Sequence, residues 1–206
     1  MTKEEIEYYS NCSWNEWVSV RFSKGFISTK DFDFEMRTKN LLDVKEVLDG
    51  VGLKFWLTNG TALAAYRDKD WIPWDDDVDL DVMMEEYLSK HDKIRDALKE
   101  KGFVTRSKKI GNPRLAKMAF FRGGEKTAIR PLYIDPSFKN NEFRLRQEYK
   151  YPKKFYEIPG TIEFKGATFN IPSPAEEFLE FCYGKDWRTP LKSDIESVYS
   201  TKDIRR

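Results

Sequence analysis

The chain has 206 residues, of which 40% are hydrophobic and 34% charged, a composition typical of a folded protein with one sizeable core. The formal net charge is +1, so the chain as a whole has no field that would attract nucleic acid or an acidic membrane surface. No run of residues approaches the roughly 18 apolar residues of a membrane span. We therefore predict one domain over residues 1–206, with no transmembrane segment and no nucleic-acid partner. We also predict a cytoplasmic location, with peripheral attachment to a membrane as the alternative.

The residue types available for catalysis are few. His91 is the single histidine, and it lies in a helical pattern, where a solvated or half-packed side chain is expected. Zinc hydrolases and Ser-His-Asp hydrolases are therefore poor candidates. Cys12 and Cys182 form no disulfide framework, which favours a reducing compartment. Carboxylates acting with a hard cation remain as candidate catalytic groups.

The N-terminal part of the chain is predicted to be helical. Residues 2–5 have the pattern of a capping box, and residues 1–30 are expected to form a helical extension. Apolar residues at helical spacing predict a longer helix over residues 33–49, which ends at Gly50 and Gly52.

A strand, a glycine turn and a short helix follow in the sequence. Residues 54–57 are β-prone, residues 58–61 (Thr-Asn-Gly-Thr) form the turn, and residues 62–67 form the helix. A helix N-terminus presents unpaired N–H groups to an anion, and Gly60 permits close approach. The turn is a candidate phosphate site, although many such glycine turns simply end a strand.

An acidic strand comes next, over residues 75–82. Aspartates alternate with apolar residues along it: Asp75, Asp77, Asp79 and Asp81 with Val78, Leu80 and Val82. Successive side chains of a strand point to opposite faces, so we expect the apolar residues to face a core and the aspartates to face away from it. Carboxylates this close together repel one another, and the segment has no Lys or Arg to compensate. A cation is expected at this position.

Three interpretations of the acidic strand compete. The first is a solvated acidic edge. The second is an EF-hand calcium loop, but Leu80 stands where that loop needs glycine, and Pro73 stands where the incoming helix would end. The third is a catalytic divalent-metal site, in which carboxylates two residues apart converge on metal ions roughly 3.5 to 4 Å apart.

The rest of the chain alternates strands with two helices. The predicted helices cover residues 85–101 and 175–183, the second capped by Ser173-Pro174 and closed by Gly184. The predicted strands and hairpins are residues 103–106, 115–121 and 127–135, a turn at Gly123-Gly124, and a further hairpin at residues 163–168.

Residues 57–82, LTNGTALAAYRDKDWIPWDDDVDLDV, resemble the signature of the LicD and fukutin-related family of the nucleotidyltransferase superfamily. The shared features are a glycine turn after a strand, a small-residue helix that ends in arginine, and Ile-Pro-Trp-Asp followed by alternating aspartates. The segments LYIDPSF and FKGATFNIPSPAEEFLEFCYGKDW resemble the family's third-carboxylate strand and C-terminal segment. The resemblance covers roughly residues 40–187.

The resemblance implies an α/β (α+β) fold of the nucleotidyltransferase type, with a small mixed sheet flanked by helices. It also implies a Mg²⁺-dependent transferase, with Mn²⁺ as an alternative ion. Such an enzyme moves phosphocholine or an alditol phosphate from a CDP-activated donor to a hydroxyl of a glycan or lipid-linked glycan. The implied catalytic residues and metal ligands are Asp77, Asp79 and Asp135. The implied donor-binding residues are Asn59, Gly60, Thr61, Arg67 and Asp75.

Two other functions remain open. The same three carboxylates can serve either bond of a pyrophosphate, so the chain could instead transfer a nucleotidyl group from an NTP to a small acceptor. It could also be a nucleotide- or metal-binding module without activity. In either transferase, a carboxylate can act as the general base where no histidine is available.

Overall fold

The computed structural model describes residues 1–28, 32–107, 117–134, 143–146 and 149–192. The helices in these ranges are α1 (Lys3–Asn11), α2 (Trp14–Val20), α3 (Phe34–Gly50), α4 (Asn59–Leu63), α5 (Met84–Glu100), α6 (Lys154–Glu157) and α7 (Ala175–Tyr183). The strands are β1 (Phe55–Leu57), β2 (Asp77–Met83), β3 (Val104–Ser107), β4 (Met118–Arg122), β5 (Glu125–Ile134), β6 (Phe143–Arg146), β7 (Tyr149–Pro152), β8 (Gly160–Phe164) and β9 (Ala167–Ile171). None of the described helices combines the length and apolar character needed to cross a membrane.

The strands form one mixed sheet whose main path has the order β3-β4-β5-β2-β1-β9-β8. β2 lies at its centre, antiparallel to β1 and parallel to β5. β6 and β7 form a hairpin off this path, next to the C-terminal end of β5. The sheet and its flanking helices are the mixed α/β architecture that the sequence predicts.

The apolar side chains of β2 lie in the main core. Val78, Leu80 and Val82 are fully buried, and α3 and α5 both contact the central strands. Burying each such side chain stabilises the fold by roughly 1.5–3 kcal/mol. The alternation along β2 thus fixes which face of the strand meets these helices, and its aspartates share the opposite face.

A second, smaller apolar cluster joins the N-terminal helices to that opposite face. Its members are Ile6, Trp17, Phe26, Val104, Ala119 and Phe121. Phe121 pairs with Lys126 in the ladder between β4 and β5, so the two side chains share one face of the sheet. Lys126 pairs in turn with Asp77. The N-terminal helices therefore flank the aspartate face of the sheet.

Several local predictions are confirmed. The Thr2 hydroxyl accepts from the Glu5 N–H and the Glu5 carboxylate accepts from the Thr2 N–H, which forms the predicted capping box. Gly123 and Gly124, with φ of 61° and 81°, form the turn between β4 and β5. The second predicted hairpin forms between β8 and β9. His91 is half-packed on α5, edge-on to Tyr87, as its helical pattern predicts.

The helix predicted over residues 62–67 differs from the structure. It begins earlier, at Asn59, and continues into a π-helical turn over Ala64–Asp68. The glycine turn is therefore the first turn of α4 rather than a loop before it. Asn59 makes this entry with φ of 46°, a left-handed conformation that asparagine tolerates better than most residues.

The N-terminal helices should be an integral part of the folded unit. Trp17 is 2% exposed, stacks on Phe26 and packs at a tilt against Phe121, with ring centroids 5.0 and 4.9 Å away. We expect Trp17→Ala to lower the free energy of unfolding by about 3–5 kcal/mol, since it removes a large buried side chain and leaves a cavity. Trp14 is 61% exposed on the same helix, and Trp14→Ala should cost no more than about 0.5 kcal/mol. Equal effects in guanidinium denaturation would contradict this packing.

Candidate active site

The aspartates of β2 are covered rather than solvated. Asp79 is 5% exposed and Asp81 is 0% exposed, so the aspartates face away from the main core, as predicted, but are not open to solvent. The apolar side chains do point into the main core, but the opposite face of the sheet is also enclosed. It is flanked by the N-terminal helices, and Tyr156 of α6 donates its hydroxyl to Asp81 Oδ2 at 2.8 Å. This burial also excludes a solvated acidic edge.

Two cations from β5 neutralise the first aspartates of β2. Parallel pairing sets Asp77 beside Lys126 and Asp81 beside Arg130. Lys126 Nζ donates to Asp77 Oδ2 at 2.6 Å. Arg130 Nη2 lies 2.6 Å from Asp79 Oδ1 and 3.4 Å from Asp77 Oδ2. One guanidinium nitrogen therefore bridges the two carboxylates, which shows that they converge on a common point.

The charges of these groups shift their pKa values in opposite directions. Burial alone would raise the pKa of Asp77, but Lys126 and Arg130 hold it below its ordinary value. Burial alone would lower the pKa of Lys126, but the Asp77 carboxylate keeps it above its ordinary value. Both groups are therefore charged at neutral pH.

Asp75 lies in a partly buried and strongly negative environment. Burial, followed by the negative charges of Asp77 and Asp79, raises its pKa to about 7. Its carboxylate lies against Gly60, where an added Cβ would overlap Oδ2 and stand 3.1 Å from Cγ. The absence of a side chain at Gly60 therefore permits the close approach of Asp75, and approach of a phosphate to this turn stays a prediction.

The first turn of α4 holds Asp79 in place. Asn59 Nδ2 donates to Asp79 Oδ2 at 3.0 Å, and the Asp79 N–H donates to Thr61 Oγ1 at 2.9 Å. Within the described ranges, the buried atoms Asn59 Oδ1 and Thr58 Oγ1 have no hydrogen-bond partner. A buried oxygen without a hydrogen-bond partner lowers the stability of the fold. These two oxygens are also available as acceptors beside the aspartate pair.

The structure does not place the two other predicted site residues, Arg67 and Asp135, at the aspartate pair. Arg67 forms a fork with Asp68, with both nitrogen–oxygen distances 2.7 Å, and donates to the Trp187 carbonyl at 3.2 Å. Its contact with a donor phosphate stays a prediction. Asp135 lies outside the described residues. Ile134 is the last described residue before Asp135. It lies six residues after Ala128, which pairs with Asp79 in the sheet. The distance along β5 from Ala128 to Ile134 is therefore roughly 20 Å.

Sequence analysis did not identify the cations of the site. Arg130 lies within the predicted strand 127–135, but Lys126 lies one residue before it, although a spacing of four residues would put both on one face of a strand. Nothing local indicates that this strand pairs with the acidic one. Arg37 was also missed: its Nε donates to Glu125 at 2.6 Å and its Nη1 to the Asp75 carbonyl at 2.8 Å.

The mixed sheet, with an aspartate pair at its centre beside a glycine-containing helix start, defines a nucleotidyltransferase-type fold. The chain belongs to the family described as LicD/FKTN/FKRP, nucleotidyltransferase domain, whose model matches residues 52–174. This confirms the family that the motif around Asp77 and Asp79 predicts.

Curated relatives and a solved structure agree with this assignment. Ribitol-5-phosphate transferase FKTN of Mus musculus is 30% identical over 201 residues, which cover 92% of this chain and 42% of the mouse protein. Ribitol 5-phosphate transferase FKRP of Homo sapiens is 29% identical over 152 residues, 67% of this chain and 29% of the human protein. The chain thus spans less than half the length of these relatives. The solution structure of the antibiotic-resistance factor ANT(2'')-Ia shares the fold, with a TM-score of 0.52 and 15% identity over 81% of this chain and 80% of that one.

The contact between Gly60 and Asp75 gives a prediction about both residues. A side chain at Gly60 must push Asp75 away from its present position, so Gly60→Ala should lower the free energy of unfolding by about 1–3 kcal/mol. Gly50, at the end of α3, has open space around its Cα. Gly50→Ala should therefore leave stability unchanged or raise it slightly. Thermal unfolding of both variants compares the two sites, and a neutral Gly60→Ala would contradict the close approach.

Proposed function

We propose that this chain is a Mg²⁺-dependent transferase domain that moves a phospho-alcohol from a CDP-activated donor to a hydroxyl of a glycan or lipid-linked glycan. The observation that carries the proposal is the convergence of Asp77 and Asp79 on one cationic nitrogen. Membership of the family, and two relatives named as ribitol-phosphate transferases, favour an alditol phosphate as the transferred group. A cytoplasmic location remains a prediction.

The residues of the site fit a magnesium ion. Carboxylate oxygens are the ligands that a hard divalent cation prefers, and Asp77 and Asp79 offer them around one point. The unpaired Oδ1 of Asn59 adds a neutral oxygen nearby. We therefore propose Asp77 and Asp79 as ligands, with Mn²⁺ able to replace Mg²⁺. When bound there, the ion would offset negative charge that develops on the departing CMP.

The protein's own groups position the reactants. Phosphoryl transfer depends on alignment and on neutralising charge far more than on covalent participation by the enzyme. Asn59 and Thr61 fix the side chain and backbone of Asp79. Gly60 and Asp75 are in close contact beside them, and we propose that the donor diphosphate binds against this turn. Asp135 stays a prediction as third carboxylate and general base, and since Ile134 is roughly 20 Å along β5 from the ladder partner of Asp79, that role requires the chain after Ile134 to turn back toward the pair.

The aspartate pair gives the main test of this function. Asp77→Asn and Asp79→Asn should each lower Mg²⁺-dependent CMP release from CDP-ribitol by about 10³-fold or more, since each removes a charged ligand. Asp81→Asn is the matched control on the same face of β2, because its amide oxygen can still accept from Tyr156. We expect this control to retain most of the activity.

Product analysis separates the alternatives. CMP together with a phospho-alcohol, free or on the acceptor, supports the proposal. Transfer of a nucleotidyl group from an NTP would point to the other bond of the pyrophosphate. Binding of CDP-ribitol without any turnover would make the chain a non-catalytic module. Parent-like activity of either variant, Asp77→Asn or Asp79→Asn, would overturn the assigned metal site.

A further inference from the structure

The cations of β5 occupy the same carboxylate oxygens that a metal ion would need. Asp77 Oδ2 accepts from Lys126 at 2.6 Å and lies 3.4 Å from Arg130 Nη2. Asp79 Oδ1 is held by the same arginine nitrogen. A divalent cation and two protein cations cannot share these oxygens at close range without strong repulsion. Metal binding therefore requires Lys126 and Arg130 to move to another anion.

Positive charge is crowded beside the aspartate pair. Burial lowers the pKa of Lys117, and the neighbouring charges of Arg130 and Lys126 lower it further. The side chains of Lys126 and Arg130 are also partly solvent-accessible, so they can reorient without unpacking the core. A group with two or more negative charges would relieve the repulsion among these cations.

We propose that Lys126 and Arg130 exchange partners during donor binding: they release Asp77 and Asp79 to the metal and bind the donor diphosphate instead. The inference rests on the proposed function, and it adds residues that select a diphosphate. It also makes metal and donor binding mutually dependent. If metal frees the cations for the diphosphate, the diphosphate must by thermodynamic linkage strengthen metal binding by the same factor.

The exchange predicts opposite effects of one substitution. Lys126→Met keeps most of the side-chain volume but removes the competing charge. Mn²⁺ alone should then bind about 2- to 5-fold more tightly, the range expected from removing a solvent-accessible ion-pair competitor. CDP binding at saturating Mn²⁺ should weaken about 10-fold, because a charge-assisted contact is lost. A merely structural role for Lys126 would weaken both.

Lys45 provides a matched control. Its side chain is 25% exposed, as is that of Lys126, and its Nζ lies 2.7 Å from Asp49 on α3, against 2.6 Å for Lys126 and Asp77. Lys45→Met should leave both affinities unchanged. Arg130→Gln should follow the pattern of Lys126→Met, and it keeps the inference testable if Lys126→Met does not fold.

Isothermal titration of the parent and these variants with Mn²⁺, then with CDP, decides between the outcomes. Tighter Mn²⁺ binding with weaker CDP binding supports the exchange. If the parent binds Mn²⁺ through Asp77 but Lys126→Met and Arg130→Gln leave either affinity unchanged, the exchange is overturned and the metal site stands. If the parent binds no Mn²⁺, or Asp77→Asn binds it equally well, the proposed metal site and the exchange are both overturned.

Discussion

The parallel pairing of β2 with β5 is the constraint on which the rest of the site depends. It sets Asp77 beside Lys126 and Asp81 beside Arg130, and paired residues of neighbouring strands project from the same face. A shift of one residue would turn Lys126 and Arg130 into the apolar core. β1 pairs with the other edge of β2, so the acidic strand is held on both sides. The two strands are consequently held in register, with the aspartates and the cations paired on one face, before any ligand binds.

A buried polar network ties this register to the segment that enters β2. Glu125, at the start of β5, accepts from Arg37 at 2.6 Å and from the Asp33 N–H at 2.8 Å, where α3 begins. Arg37 also donates to the Asp75 carbonyl at 2.8 Å. Removing one member of a buried ion pair commonly costs about 3–5 kcal/mol, because the other is left buried and uncompensated. The network therefore links helix α3, strand β5 and the position of Asp75 against Gly60.

The sequence predicts the local features of this fold and misses the non-local ones. Alternating residues identify β2, and paired glycines identify the hairpin at Gly123, because both signals lie within a few neighbouring residues. The motif also identifies the family and the aspartate pair. The alternation does not reveal that the aspartates are enclosed, because the side chains that contact them come from distant segments: β5, α4 and α6. Lys126 and Arg130 were missed for the same physical reason: strand pairing is set by the packed sheet rather than by either strand alone.

The central claim is that Asp77 and Asp79 bind one divalent ion while the cations of β5 hold the donor diphosphate. Anomalous diffraction from crystals grown with Mn²⁺ and CDP tests it most directly. The account predicts a manganese peak between these two carboxylates, with Lys126 and Arg130 against the phosphates of CDP. A peak away from Asp79, or CDP bound while Lys126 still contacts Asp77, would contradict it.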